Sequence, residues 1–239
     1  MSWSFTISIR ERFLKTKTKS NLSLNLLLKK LVFLEIKHYT NIGAVIAPKS
    51  EASAPRWKVS ALALAATQTL IPEEIVVVMV ADKEADIYDL FMLPRRPNSE
   101  FLIRANHDRI VRKPTQEDQQ LERLQQAIGQ VPPCGQLTLE LRRHPEREAR
   151  TATLTLRATT LQLQPPQSHP ERECLKPVSV QVILAQEDNP PPGVKPVRWL
   201  LLTTLAITSF EDVVQCLRWY SYRCLIERYH YVLFHRLSS

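Results

Sequence analysis

The residues of this chain best suited to chemistry stand at the end of one apolar run and along one face of one helix. Asp82 directly follows IVVVMVA (75–81). A continuous β-branched run of this kind marks a strand buried on both faces. In open α/β sheets, reactive groups collect at the carboxyl ends of the strands, and a carboxylate there offers a hard oxygen ligand to a divalent cation. The same position suits a plain N-cap. The spacing from Glu84 to Met92 predicts a helix, with Glu84, Asp86 and Asp89 in its first turns, where carboxylates complement the positive dipole end. Farther on, Tyr220, Arg223 and Glu227 lie at i, i+3 and i+7 in WYSYRCLIERYHYVLF, so a helix projects all three from one face. That spacing also accommodates an Arg223–Glu227 surface pair, worth about 0.3–0.5 kcal/mol, beside an aromatic core contact.

Other chemistries find little support. Only four glycines occur (Gly43, Gly129, Gly135, Gly193), so there is no glycine-rich phosphate cradle and no dinucleotide fingerprint. Walker-type ATPases and Rossmann oxidoreductases are excluded. Cys134, Cys174, Cys216 and Cys224 lack C-x2-C spacing and read as core thiols, with a reducing cytosol as the expected compartment. His230 and His235 are five apart, not the four of a helical zinc pair. No serine carries nucleophile-elbow glycines.

The elements that must position Asp82 and the Tyr–Arg–Glu face are legible as changes of period. KVSALALAATQTL (58–70) predicts a helix stopped by Pro72, EFLIRA (100–105) a strand, and 117–128 a polar amphipathic helix. Strand, helix, strand implies a partly parallel α/β sheet. From Gln136 the pattern becomes short alternating runs, QLTLELRR, RTATLTLRATTLQL and VSVQVILAQ, which predict antiparallel strands with one wet face. Prolines cluster in PPQSHP and NPPPGVKP, as loops between them. WLLLTT (199–204) predicts another buried strand, and Ser209 with Asp212 starts a helix running from about Phe210 to the mid-230s. The chain thus divides into a leader (1–50), a first α/β part (51–130), a β-rich insertion (131–197) and a last strand with its helix (198–239).

The basic excess is local. Residues 1–50 hold nine Lys or Arg against Glu11 and Glu35, which accounts for nearly all of the formal net charge of +8. Such a segment suggests an anionic partner. In the apolar stretch 21–36, Lys29 and Lys30 interrupt the run well short of the roughly 18–20 residues that a spanning helix needs, so no membrane association is expected.

Two segments together resemble a known family. VADKEADIYDLF (80–91) and YSYRCLIERYHYVL (220–233) resemble the bacterial insertion-sequence DDE transposases of the branch with a Tyr-x2-Arg-x3-Glu-x6-Lys signature. The resemblance runs from about Trp57 to Leu233 and takes in LPRRPNSEFLIRANHDR (93–109) and WLLLTTLAITSFED (199–212). It implies an α/β fold with an RNase H-like core, a mixed sheet with flanking helices, interrupted by the β-rich insertion. It further implies cleavage and strand transfer of DNA at transposon ends, using two Mg²⁺ or Mn²⁺ ions held by two Asp and one Glu. Asp82 matches the family's second Asp and Glu227 its Glu. Tyr220 and Arg223 match its phosphate-contacting pair. Trp199 falls where relatives place a base-stacking Trp, and Arg104 is placed to contact DNA backbone. The implied partners are terminal inverted repeats and a second subunit of a homodimer, in the bacterial cytoplasm at the nucleoid.

This sequence departs from the pattern in three places. Residues 1–81 contain no Asp for the first ligand, leaving Glu35 as a geometric substitute. Phe234 stands where the signature Lys belongs. The likeness stops after Leu233. A truncated or frameshifted copy with impaired catalysis is expected, its basic leader outside the core. The alternative is a non-catalytic DNA-binding or subunit-poisoning remnant, with at most weak metal binding.

Overall fold

The computed structural model describes residues 31–34, 64–65, 68–69, 71–114, 120–141 and 148–237, with 31–34 and 224–237 as backbone path only. Glu35, most of the basic leader and most of the helix expected over 58–70 lie outside the described residues.

The β-branched run forms strand β2 (Val76–Ala81), every residue of which is buried. It lies between β1 (Leu31–Leu34) and β3 (Ser99–Arg104), parallel to both. Six further strands complete one sheet: β4 (Ile110–Arg112), β5 (Glu122–Arg123), β6 (Gly135–Leu141), β7 (Arg150–Leu163), β8 (Val178–Glu187) and β9 (Arg198–Thr203). The strand order is β1-β2-β3-β9-β8-β7-β4-β5, with β6 paired to β7 off that path. All pairings after β3 are antiparallel. The architecture is therefore mixed α/β with a mostly antiparallel sheet and few helices. The alternating runs of 131–197 form strands as their period predicts, and β8 pairs with β9 to carry them into the same sheet.

Alternation along the strands sorts the core into two faces. Val77, Met79 and Ala81 pack with Phe101, Ile103 and Leu202 on one side, under Tyr88, Leu90 and Phe91 of α1 (Tyr88–Met92) and Leu124, Ala127 and Ile128 of α2 (Leu124–Gly129). Val76, Val78 and Val80 pack with Leu102, Leu201 and Ile183 on the other. There they meet Val213, Cys216, Leu217 and Tyr220 of α3 (Phe210–Leu237). Burying each such aliphatic side chain contributes about 1.5–3 kcal/mol, so both faces are firmly covered.

The capping box at α3 forms as the sequence predicts. Asp212 accepts from the Thr208 and Ser209 backbone amides at 2.9 and 3.0 Å, and the Ser209 hydroxyl accepts from the Asp212 amide at 3.2 Å. These bonds, with Thr208 first, hold the Asp212 carboxyl below its usual range.

Three local expectations are corrected. The helix expected from Glu84 to Met92 is a 3-10 turn (Lys83–Ala85) followed by the short α1. The break comes at Asp86, which is buried and bonded elsewhere instead of sitting in a helical first turn. The helix expected over 117–128 starts only at Leu124, because Glu122 and Arg123 pair with β4. Of the cysteines, Cys216 is a buried core thiol, whereas Cys134 and Cys174 are exposed on the proline-rich connections and their neighbours.

Candidate functional site

One strand periodicity and one helix length bring the predicted residues together. Asp82 continues β2 in an extended conformation (φ −89°, ψ −175°), so it shares the face of Val78 and Val80, which α3 covers. Arg104 ends β3 on the face of Leu102, and its Cα partner across the sheet is Leu201 of β9. Trp199 lies two residues before Leu201 and therefore on the same face and the same edge. Helix α3 starts at the far end of the sheet and climbs back along β2. From Phe210 to Tyr220 it rises about 15 Å, close to the roughly 20 Å that six strand residues span. Tyr220 and Arg223 thus arrive at the edge where Asp82 stands.

The contacts follow. The Tyr220 hydroxyl donates to Asp82 Oδ1 at 3.3 Å. Arg223 Nη2 lies 3.3 Å from Asp82 Oδ2, and Arg104 Nη1 lies 3.8 Å from Oδ1. Arg104 also approaches the Tyr220 hydroxyl to 3.5 Å and the Arg198 carbonyl to 3.4 Å. The Arg223 guanidinium stands 5.9 Å from the centre of the Tyr220 ring, and Trp199 meets that ring edge-on. Tyr220 is buried, and burial pushes its hydroxyl up to about 12; the nearby Arg104 and Arg223 oppose that shift and Asp82 adds to it. Asp82 keeps 35% of its side chain exposed and Arg104 28%, so the cluster opens to solvent.

No family model matches this chain.

One alternative left open by spacing is now decided. Asp82 occupies the N-cap position of the 3-10 turn, but its carboxylate makes no cap bond and turns to α3. Arg223 reaches across to Asp82 on another element, while the aromatic core contact expected for Tyr220 is present. Glu227 lies one turn beyond Arg223 on the same face of α3, about 6 Å farther along the axis; its side chain lies outside those described. Phe234 and His230 fall in the same stretch.

Sequence reasoning missed the group that holds this edge in place. Four residues after Asp82, the buried Asp86 accepts from the backbone amides of Asn106 and His107 at 2.7 and 2.9 Å. Its other oxygen takes Arg109 Nε and Nη2 at 2.9 and 2.7 Å. This clamp fixes the turn that leaves β3 immediately after Arg104. Asp86 and Arg109 carry no common spacing signal, because they meet only through the β2–β3 pairing.

The described donor set can be weighed against the chemistry that the resemblance implies. Two-metal chemistry needs several hard carboxylate oxygens converging. Among the described residues no group of three His, Cys, Asp or Glu converges. What meets here is one carboxylate, one phenol and two guanidiniums, one negative charge against two positive. The described side chains thus supply one of the carboxylates that a two-metal centre needs, with the Glu227 side chain outside them. They suit an anion with several acceptor oxygens, for which Arg forks and phenolic donors are good partners. No helix among the described residues is long and apolar enough to cross a membrane.

Proposed function

We propose that this chain descends from the insertion-sequence DDE transposases that its sequence resembles, and that it binds the DNA backbone at the Asp82 edge without cutting it. One observation carries the reading: Asp82, Arg104, Trp199, Tyr220 and Arg223 converge from four elements, with Tyr220 and Asp82 138 residues apart. These are five of the six residues that the resemblance assigns to DNA and to the chemistry, the sixth being Glu227. Strand β2, in parallel register with both neighbours, is in keeping with an RNase H-like core built around Asp82. The partner would be terminal-repeat DNA at the bacterial nucleoid, in the cytoplasm, with a homodimer as the ancestral assembly. Arg104 and Arg223 hold phosphate oxygens, Tyr220 donates a further hydrogen bond, and Trp199 packs against Tyr220 at the rim.

Impaired cleavage follows from the ligand shortage. The 81 residues before Asp82 contain no Asp, and Phe234 supplies no charge where the signature has a lysine. The reading is tested by anisotropy of labelled duplex DNA at several salt concentrations, with Arg223→Gln beside the wild-type chain. Salt-sensitive binding weakened by Arg223→Gln is expected. A parallel nicking assay in Mg²⁺ or Mn²⁺, with Glu227→Ala as control, should show no cleavage. Cleavage abolished by Glu227→Ala would overturn the non-cutting reading. It would point to Glu35, next in sequence after β1, the parallel partner of β2.

A further inference from the structure

Asp82 and Asp86 sit four residues apart, each facing arginine, in opposite circumstances. The Asp86–Arg109 pair is tight, 2.7 Å, with the carboxylate fully buried and both of its oxygens bonded. Separating it would strand two buried charges. The contacts of Asp82 are longer, 3.3 Å to Arg223 and 3.8 Å to Arg104, and its side chain is one-third exposed. Charge-assisted bonds at their best run near 2.7–2.9 Å; the Arg104 contact is longer than that and open to solvent, where such pairs contribute only about 0–1 kcal/mol, while Arg223 is mostly buried and reaches Asp82 at a long 3.3 Å. The first carboxylate is a fixture. The second is held loosely enough to be exchanged.

We infer that Asp82 serves in this chain as a built-in counter-anion, occupying the Arg104–Arg223 pair until a DNA phosphate takes its place. This rests on the DNA-binding reading above and assigns Asp82 a role opposite to that of a metal ligand. A phosphodiester brings the same charge as the carboxylate and comparable oxygens to the same two forks. On exchange, the Asp82 carboxylate turns to water and takes up a solution cation, so its presence costs affinity and flattens the salt dependence. The site selects against weak anions, because any ligand must outcompete an anion tethered beside it.

The test is duplex-DNA anisotropy on the full chain with Asp82→Asn, Asp82→Glu, Glu84→Gln and Asp82→Asn/Arg223→Gln. Asp82→Asn should tighten binding on the order of tenfold and steepen the log–log salt slope by roughly one. Asp82→Glu should stay near wild type, since it keeps the charge. Glu84 is exposed two residues away; Glu84→Gln should give a much smaller gain, separating exchange from a general change of field. The double variant should lose the gain. An Asp82→Asn protein with an unaltered thermal transition and unchanged or weaker binding overturns the inference. So does an equal gain from Glu84→Gln. In both cases Arg223-dependent binding by the wild-type chain would leave the DNA-binding reading standing. Absence of binding by every variant would remove both.

Discussion

The Trp199 indole meets the Tyr220 ring edge-on, with centroids 5.3 Å apart and planes at 68°. This contact ties β9 to α3 beside Asp82, and it fixes the position of the hydroxyl that reaches the carboxylate. Edge-to-face pairs contribute about 0.5–1.5 kcal/mol beyond the area they bury. A double-mutant cycle of Trp199→Leu and Tyr220→Leu, read by urea unfolding, should return a coupling energy in that range. A coupling near zero would show that the two rings are merely neighbours.

Asp86 should matter more to stability than any other acid at this edge. Asp86→Ala takes the carboxylate from the buried Arg109, leaving it only the Asp86 backbone carbonyl of these partners, and leaves two backbone amides without that acceptor. Breaking a buried pair from one side costs about 3–5 kcal/mol. Equilibrium unfolding should show a loss of that order, and a loss below about 1 kcal/mol would contradict the clamp. Asp86→Asn retains an acceptor and should cost less.

Alkali should unfold the chain through its buried weak acids. Burial pushes the Tyr88 hydroxyl from 10.0 up to about 12, with Arg109 opposing and Asp89 adding; that hydroxyl donates to the Lys176 carbonyl at 2.6 Å. Burial likewise pushes the Cys216 thiol from 9.0 up to about 12, with Asp212 adding to it. Each group holds its proton more tightly when folded than when unfolded. Its contribution is therefore complete below the unfolded value and is lost as pH rises through about 12. Urea midpoints measured from pH 8 to 12 should fall across that window, and Tyr88→Phe should make the fall shallower. A midpoint that is flat to pH 12 would refute this.

Thiol chemistry should separate the cysteines. The nucleophile is the thiolate, and Cys216 is both 2% exposed and strongly disfavoured from ionising. Alkylation of the native protein at pH 8, mapped by peptide mass, should mark the exposed Cys134 and Cys174. Cys216 should be modified only after denaturation. Modification of Cys216 at the rate of Cys174 would mean that α3 does not stay on the sheet.

Sequence by itself determined the elements whose period is dictated by their own burial. The β-branched run could only be a strand closed on both faces, and it became β2 with Asp82 at its end. The alternating runs became antiparallel strands, Ser209 and Asp212 capped α3, and the spacing of Tyr220 and Arg223 placed them on one helical face. Tertiary structure alone decided what those residues touch. Whether Asp82 caps a turn or meets two arginines depends on the parity of β2, the register of β3 against β9 and the number of turns α3 makes before reaching the edge. No local pattern encodes those three together. The Asp86 clamp was hidden for the same reason. Its charge suited a helix start, while its partners come from the turn after the next strand, brought near only by β2–β3 pairing.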